Sequence, residues 1–171
     1  LAQPVGQRTL ALWAEYFRLR EAYREGLAWL AAPPASEARD LDGQRRGGYG
    51  FVRGPASGDG DGLDPDPTDP GDRLGANTFH GTHVAGTIAA ATNDGYGVTG
   101  IAPGVRLMPL RVVSVDRIAE VADIVQAIRY AAGLPNDSGS LPPVRADVIN
   151  VRMSAGVTCP ASLAEPLAAP R

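Results

Sequence analysis

The sequence lacks the features that mark several classes of protein. It has a single cysteine, Cys159, so no disulfide can form within the chain. It has no uninterrupted run of about 18 apolar residues, the length that crosses a membrane as a helix. Its basic residues form no long run, and its net charge is −3. These absences argue against a membrane span and against nucleic acid as a partner. No charged segment followed by an apolar one is visible, so no signal peptide is predicted.

The length and composition favour one domain with a real core. The chain has 171 residues, of which 44% are hydrophobic. Residues 1–34 form a first region, in which apolar residues recur at steps of three and four between residues 9 and 31. This spacing predicts an amphipathic helix that begins near Thr9 and ends before Pro33. Packing against the core is the favoured role of this helix, and binding of a partner is the alternative.

Residues 35–171 alternate between strand and helix patterns. Strands are predicted at 48–52, 105–113 and 146–153, and helices at 80–91 and 118–132. Pro109 lies inside the second strand, which indicates an irregular or edge position. Strand, helix and strand in this order predict a βαβ unit, and therefore a parallel sheet covered by helices.

Both histidines of the chain lie at the start of the first of these helices. His80 and His83 are three residues apart and share one helix face, an arrangement that can ligate zinc. A zinc site needs further ligands, and the HExxH pattern is absent. A histidine in the first turn of a helix feels the positive end of the helix dipole, which disfavours the charged ring. A neutral imidazole in a cleft is what a general base requires.

Small residues recur along this helix from residue 81 onward, so it can pack very close to a sheet or to another helix. They are Gly81, Ala85, Gly86, Ala89 and Ala90. The whole stretch FHGTHVAGTIAA, residues 79–90, resembles the histidine motif of the subtilisin family of serine proteases. The resemblance continues in NDGYGVTGIAPGVRLMPLRVV, residues 93–113, and in ADVIN, residues 146–150. Upstream, RDLDGQRRGGYGFV and the Asp-rich loop also resemble secreted bacterial members.

The resemblance implies a fold, a reaction and a set of site residues. The fold is a three-layer α/β/α sandwich with a mainly parallel sheet, present here in truncated form as a partial catalytic domain over residues 35–171. The reaction is hydrolysis of peptide bonds in a polypeptide substrate, with His80 as the catalytic base. Ser154, Ala155 and Gly156 fall near the family's substrate-binding stretch. The resemblance also implies an extracellular or secreted protein.

Two of the three residues of the catalytic triad have no recognisable counterpart. The triad needs an acid that holds the imidazole and a serine that attacks the carbonyl. The family's acid stands in D-T-G or D-S-G shortly before the region that matches Asp40, and neither tripeptide occurs there; the one D-S-G of the chain, residues 137–139, lies far downstream in the loop after the second predicted helix. Asp40 and Asp42 follow the expected position and are disfavoured as the acid. The serine motif G-T-S-M-A is absent as well.

Three interpretations of these gaps stay open. The chain is a fragment or decayed product of a protease, or it is completed by a second chain, or it is a non-catalytic protein that binds calcium or a partner on a subtilisin-like scaffold. In each case a truncated parallel sheet leaves strand edges uncovered, which predicts aggregation or a partner.

An acidic loop lies between the predicted first strand and the histidines. Residues 57–72 read SGDGDGLDPDPTDPGD, and the dense carboxylates suit the oxygen coordination of Ca²⁺. The candidate ligands are Asp59, Asp61, Asp64, Asp66 and Asp69, with Asp72 close behind. The spacing is not that of an EF-hand, and a solvated acidic loop is the alternative.

Overall fold

The computed structural model describes residues 39–60, 62–73, 75, 79–102 and 104–151. The helix predicted at 9–31 and the substrate-binding candidates at 154–156 lie outside the described residues. In the described part, a short parallel sheet lies between two α-helices. No helix of that part combines the length and apolar character that a membrane crossing needs.

Two short strands form the sheet. Strand β1 covers Tyr49–Gly50 and strand β2 covers Leu110–Arg111, and they pair in parallel with Tyr49 opposite Leu110. A single parallel bridge between Arg45 and Leu107 continues the pairing toward the amino-terminal ends. The predictions at 48–52 and 105–113 are therefore confirmed in position, although both strands are shorter than predicted. Pro109 explains part of the difference, because it has no N–H to donate and contributes only its carbonyl, which accepts the Tyr49 N–H at 3.1 Å.

Two helices follow the sequence pattern closely. Helix α1 covers His80–Ala89 and begins at the predicted residue. Helix α2 covers Val121–Ala131, three residues later than the predicted start at 118. The delay has a local cause: residues 114–118 form a tight turn in which the Ser114 N–H donates to the Ile118 carbonyl at 2.9 Å. Arg117 in that turn has a φ of 63°, which no helix residue adopts.

The helices cover opposite faces of the sheet. On one face, the ring centroids of Tyr49 and Phe51 lie 5.3 and 5.7 Å from that of Tyr130 on α2. On the other face, Leu41 packs against Leu107 and against Ala85 of α1. Because successive residues of a strand face opposite sides, β1 and β2 contribute to both layers. The result is the three-layer α/β/α arrangement that the sequence predicts.

The predicted strand at 146–153 is not formed over residues 146–151, the part of it that the structure describes. The parallel partner of β2 is β1, and the βαβ unit that is observed runs through β1, α1 and β2. Val148, in the middle of the predicted strand, is 84% exposed. The apolar pattern is present, but a strand needs a neighbouring edge with which to pair, and residues 146–151 have none within the described part.

A buried arginine fastens the acidic loop to the sheet. The Arg111 side chain on β2 is 6% exposed and forms an ion pair with Asp59, whose side chain is 28% exposed. The same guanidinium donates to the carbonyls of Ser57 and Thr68. One side chain thus contacts the loop at three points, so the loop is folded against the sheet from residue 57 to residue 68.

We expect Asp59→Asn to lower the free energy of unfolding substantially. The substitution leaves the buried Arg111 charge without its counter-ion, and breaking such a pair costs on the order of 3 kcal/mol. The matched control is Asp137→Asn, which removes a carboxylate that also pairs with an arginine but is 56% exposed. Asp137→Asn is expected to lower the free energy of unfolding by about 1 kcal/mol or less. Urea unfolding of both variants measures the difference, and equal effects would contradict the role assigned to Arg111.

Candidate active site

The start of helix α1 is fixed by a strained, buried residue. Phe79 precedes the helix with a φ of 41° and a ψ of 42°, a left-handed conformation that is costly for a bulky side chain. Phe79 is only 5% exposed, and its carbonyl accepts the His83 N–H at 3.1 Å. Burial of the phenyl ring holds this conformation, so the first turn of the helix has a defined place on the protein.

His80 occupies the first position of the helix and is exposed. Within the described residues its ring makes no hydrogen bond or ion pair. An exposed imidazole next to the unpaired N–H groups of a helix start is free to accept a proton from an incoming group. The geometry therefore agrees with the base role that the resemblance implies for His80.

His83 is placed differently, although it is only one turn away. It is half-buried, and its Nε2 atom is inaccessible and has no hydrogen-bond partner. Burial lowers the pKa of His83, and the neighbouring His80 adds to this effect. The ring is thus held neutral inside the structure and is not presented to a substrate.

The two histidines do not form part of a metal cluster in the region that the structure describes. No group of three or more His, Cys, Asp or Glu side chains there is arranged to hold a metal ion. The zinc alternative considered for the pair therefore lacks a third ligand among those residues.

Asp40 is buried at the far end of helix α1 from His80. Its carbonyl accepts the N–H of Ala91, which follows the carboxyl-terminal end of the helix, at 2.7 Å. The helix has ten residues, which at about 1.5 Å per residue separates its ends by roughly 15 Å. Asp40 is therefore too far from His80 to hold its imidazole, as the sequence position also indicates. Asp42, two residues on, is exposed.

The Asp40 carboxylate faces a loop rich in oxygen atoms. One of its oxygens accepts the Val98 N–H at 3.2 Å, and the other, Oδ1, is buried without a partner. Gly97 is required beside it, because a Cβ there would overlap the carboxylate. The loop borders an open hollow of about 330 Å³ that is lined by Ala91 and residues 93–99, and Asp40 is not among the lining residues. Burial raises the pKa of Asp40, as expected for a carboxylate with too few donors.

Asp40 Oδ1 is one of two buried carboxylate oxygens without a hydrogen-bond partner among the described residues, and the other is Asp64 Oδ2 in the acidic loop. A buried carboxylate oxygen without a donor costs free energy unless a proton or a cation satisfies it. Ca²⁺ takes carboxylate, amide and carbonyl oxygens together, and Asp40, Asn93 and the loop carbonyls are oxygen donors of these kinds.

Most carboxylates of the acidic loop already have partners. Asp59 pairs with Arg111, and Asp72 pairs with Arg117 at 3.0 Å. Asp64, Asp66 and Asp69 each accept a main-chain N–H two residues further on, at 2.5, 3.0 and 2.9 Å. Such turns need no metal to hold their shape. The calcium ligands predicted here are thus not gathered around one point in the described part, and Asp61 lies outside it.

The end of the acidic loop is joined to the turn after β2. Arg73 pairs with Asp116 at 2.8 Å and Arg117 pairs with Asp72, so two ion pairs cross between the same two segments. The Arg73 N–H also donates to the Val115 carbonyl at 2.9 Å. This junction holds the end of the acidic loop beside residues 115–117.

None of the described serines contacts either histidine. Ser57 is fully buried, and the Ser114 hydroxyl accepts main-chain N–H groups of its own turn at 3.2 Å. Ser138 and Ser140 belong to the loop after α2 and are hydrogen-bonded within it. Among the described residues, no serine hydroxyl is hydrogen-bonded to His80 or His83.

Sequence reasoning missed the two most consequential polar groups, Arg111 and the pairing of Asp40 with the 93–98 loop. The sequence pattern shows Arg111 only as part of an apolar strand, and its partners lie 43 to 54 positions away in the chain. Asp40 and Val98 are 58 positions apart. The glycines at 95 and 97 were the available signal, since both have positive φ and mark a loop with a demanding backbone.

The sequence profile of the Subtilase family matches residues 40–169. An extracellular protease of Xanthomonas campestris is 35% identical over 132 residues, which cover 70% of this chain and 23% of that protein. A thermophilic serine proteinase of a Bacillus species is 38% identical over 120 residues, with the same two shares. The chain therefore spans about a quarter of the length of these relatives.

A solved protease structure agrees with the sequence matches. The protease from Pseudoalteromonas arctica superposes with a TM-score of 0.70 at 32% identity, over 75% of this chain and 41% of that one. The histidine-bearing helix, the parallel strands and the covering helices all fall within the residues that the family profile matches. On these grounds the chain belongs to the subtilase family of proteases.

Proposed function

We propose that the chain carries the general-base portion of a subtilisin-like serine endopeptidase site, with His80 as the base and a polypeptide as the substrate. The observation that carries the proposal is the exposed ring of His80 at the first position of a helix whose opposite face is buried. In this role His80 takes the proton of an attacking hydroxyl and later returns it to the leaving amine. Ser154, Ala155 and Gly156 would bind the substrate beside it, as the family resemblance implies.

The same geometry supports an inactive or incomplete enzyme when the chain stands alone. A base acts only on a nucleophile within hydrogen-bond reach, and it needs an acid to fix its tautomer. The described serines are engaged elsewhere, and Asp40 lies at the wrong end of α1. The nucleophile and the acid must then come from residues outside the described part or from a second chain that completes the domain.

A non-catalytic function is the alternative, and the hollow beside Asp40 favours it. A calcium ion bound there would tie the loop at 93–98 to the carboxyl end of α1. Calcium in that place would supply positive charge to Asp40 and would stabilise the scaffold without taking part in proton transfer. The acidic loop at 57–72 remains a second candidate for calcium, through the predicted ligands Asp59, Asp61, Asp64, Asp66 and Asp69.

We propose that the protein is secreted. The supporting observation is that relatives from Xanthomonas campestris and Dichelobacter nodosus are described as extracellular proteases.

We expect no measurable peptide hydrolysis by residues 1–171 alone, because the sequence has no G-T-S-M-A motif and no described serine or carboxylate reaches His80. The measurement is cleavage of a broad peptide library with and without calcium, with His80→Ala as the matched control. Cleavage by the unmodified chain that disappears in His80→Ala would show that a nucleophile is present. In that case Ser154 is the first residue to replace.

Calcium titration distinguishes the two candidate metal sites. We expect the unmodified chain to release heat on binding Ca²⁺, and Asp40→Asn to abolish binding because it removes the buried charged ligand. The double variant Asp61→Ala with Asp69→Ala, which leaves the Asp59–Arg111 ion pair intact, is expected to retain binding if the Asp40 hollow is the site. Loss of binding in the double variant alone would assign calcium to the acidic loop. If the unmodified chain releases no heat with Ca²⁺, the proposal that it binds calcium is wrong.

A further inference from the structure

Three residues other than glycine have a positive φ in the described part: Phe79, Asn93 and Arg117. Asn93 and Arg117 are exposed, and asparagine is a residue type that tolerates this conformation. Phe79 is bulky and only 5% exposed. A left-handed conformation at such a residue persists only where the surrounding structure enforces it, and strained residues of this kind cluster at functional sites.

The residue before helix α1 does not cap the helix with its side chain. A residue in this position is usually extended and bonds the first turn through a short polar side chain. Phe79 is left-handed instead and makes no side-chain cap bond. It supplies its carbonyl, which accepts the His83 N–H at 3.1 Å. The position of the first turn therefore depends on the backbone angles of residue 79 and on the group that holds those angles.

The phenyl ring of Phe79 is the group that can hold them. Glycine adopts the left-handed conformation without strain, but it has no side chain to bury. Phenylalanine is strained there, and the burial of its ring stabilises the folded chain. Because the chain turns at each residue only through φ and ψ, the angles of Phe79 set the direction in which the chain enters His80.

We propose that Phe79 is a positioning residue, whose buried ring holds the backbone that places the His80 imidazole. This role rests on the function proposed for His80 as a general base. It explains why a strained, bulky residue stands directly before the base, where a small or polar residue would fit the backbone or cap the helix more easily.

The ring of His83 reports on the position of His80. Burial has the larger effect in lowering the pKa of His83, and the charge of the neighbouring His80 lowers it further. The effect of that charge depends on the distance between the two rings. His80→Gln removes the charge, so the rise in the pKa of His83 on this substitution measures how closely the His80 imidazole is held to the helix.

Two isomeric substitutions separate the backbone angles of residue 79 from the burial of its side chain. Phe79→Leu and Phe79→Ile remove the same ring and leave the same number of carbon atoms, but a β-branched isoleucine resists a positive φ more strongly. The measurement is NMR titration of the His83 ring with and without His80→Gln in each variant. The rise in the pKa of His83 is expected to be kept in Phe79→Leu and lost in Phe79→Ile.

A merely structural role of Phe79 gives a different result. Both isomers would then lower the free energy of unfolding, measured with urea, and would leave the titration of the folded chain unchanged. Equal rises in the pKa of His83 in the two isomers, or no rise in the otherwise unmodified chain, would overturn the proposal.

Gly81→Ala is the matched control in the same turn. Gly81 is exposed and has no positive φ, and no atom of the described residues lies within 4 Å of the place its Cβ would take. Alanine favours the helix without changing the backbone angles of residue 79. The rise in the pKa of His83 is expected to be unchanged in this variant, and its loss would show that Phe79 has no special part in placing His80.

Hydrogen exchange of the unmodified chain is a second measurement, which needs no variant to fold. The His83 amide, bonded to the Phe79 carbonyl, is expected to exchange more slowly than the Gly81 amide, which lies in the first turn and has no acceptor within the helix. Equal exchange would show that Phe79 does not hold the turn. Neither measurement uses peptide cleavage, so a failure of the base role is distinguished from a failure of the positioning role.

Discussion

The close approach of the chain to the carboxyl end of helix α1 is the constraint on which the rest of the fold depends. A Cβ on Gly100 would lie 2.5 Å from the Ala90 nitrogen and 2.7 Å from the Ala89 Cα, so no other residue fits there without movement. The returning chain donates from Gly100, Ile101 and Ala102 to three carbonyls of that helix end at 2.8 to 3.2 Å. These bonds satisfy carbonyls that a helix end otherwise leaves unpaired. They also fix the direction of the helix.

The two ends of α1 differ in their exposure. The carboxyl end is enclosed by Asp40, Gly100 and the loop at 93–98, and the small residues along the helix allow it to lie close to the sheet. The amino end, by contrast, carries an exposed His80 on a strained but buried Phe79. A rigid scaffold thus holds the His80 imidazole at the protein surface, which is the placement expected of a catalytic base.

The sequence predicted helices and fold class better than strands and ion pairs. The helix start at His80 could be predicted because its motif and its periodicity are local. The strand at 146–153 could not, because an apolar run becomes a strand only when another strand is beside it. The acidic loop shows the same limit in its charges: spacing alone indicated a shared cation, whereas the structure pairs Asp59 with Arg111, 52 positions away. Ion pairs between residues so far apart in the chain cannot be predicted from a single sequence.

The most direct measurement is the reactivity of the two histidines toward diethyl pyrocarbonate, followed by mass spectrometry of the peptides. The chain has only two histidines, so each modification is assigned without ambiguity. The account predicts rapid modification of His80 and slow modification of His83, whose Nε2 is buried. Equal rates, or faster reaction at His83, would contradict the claim that the fold presents His80 as the available base.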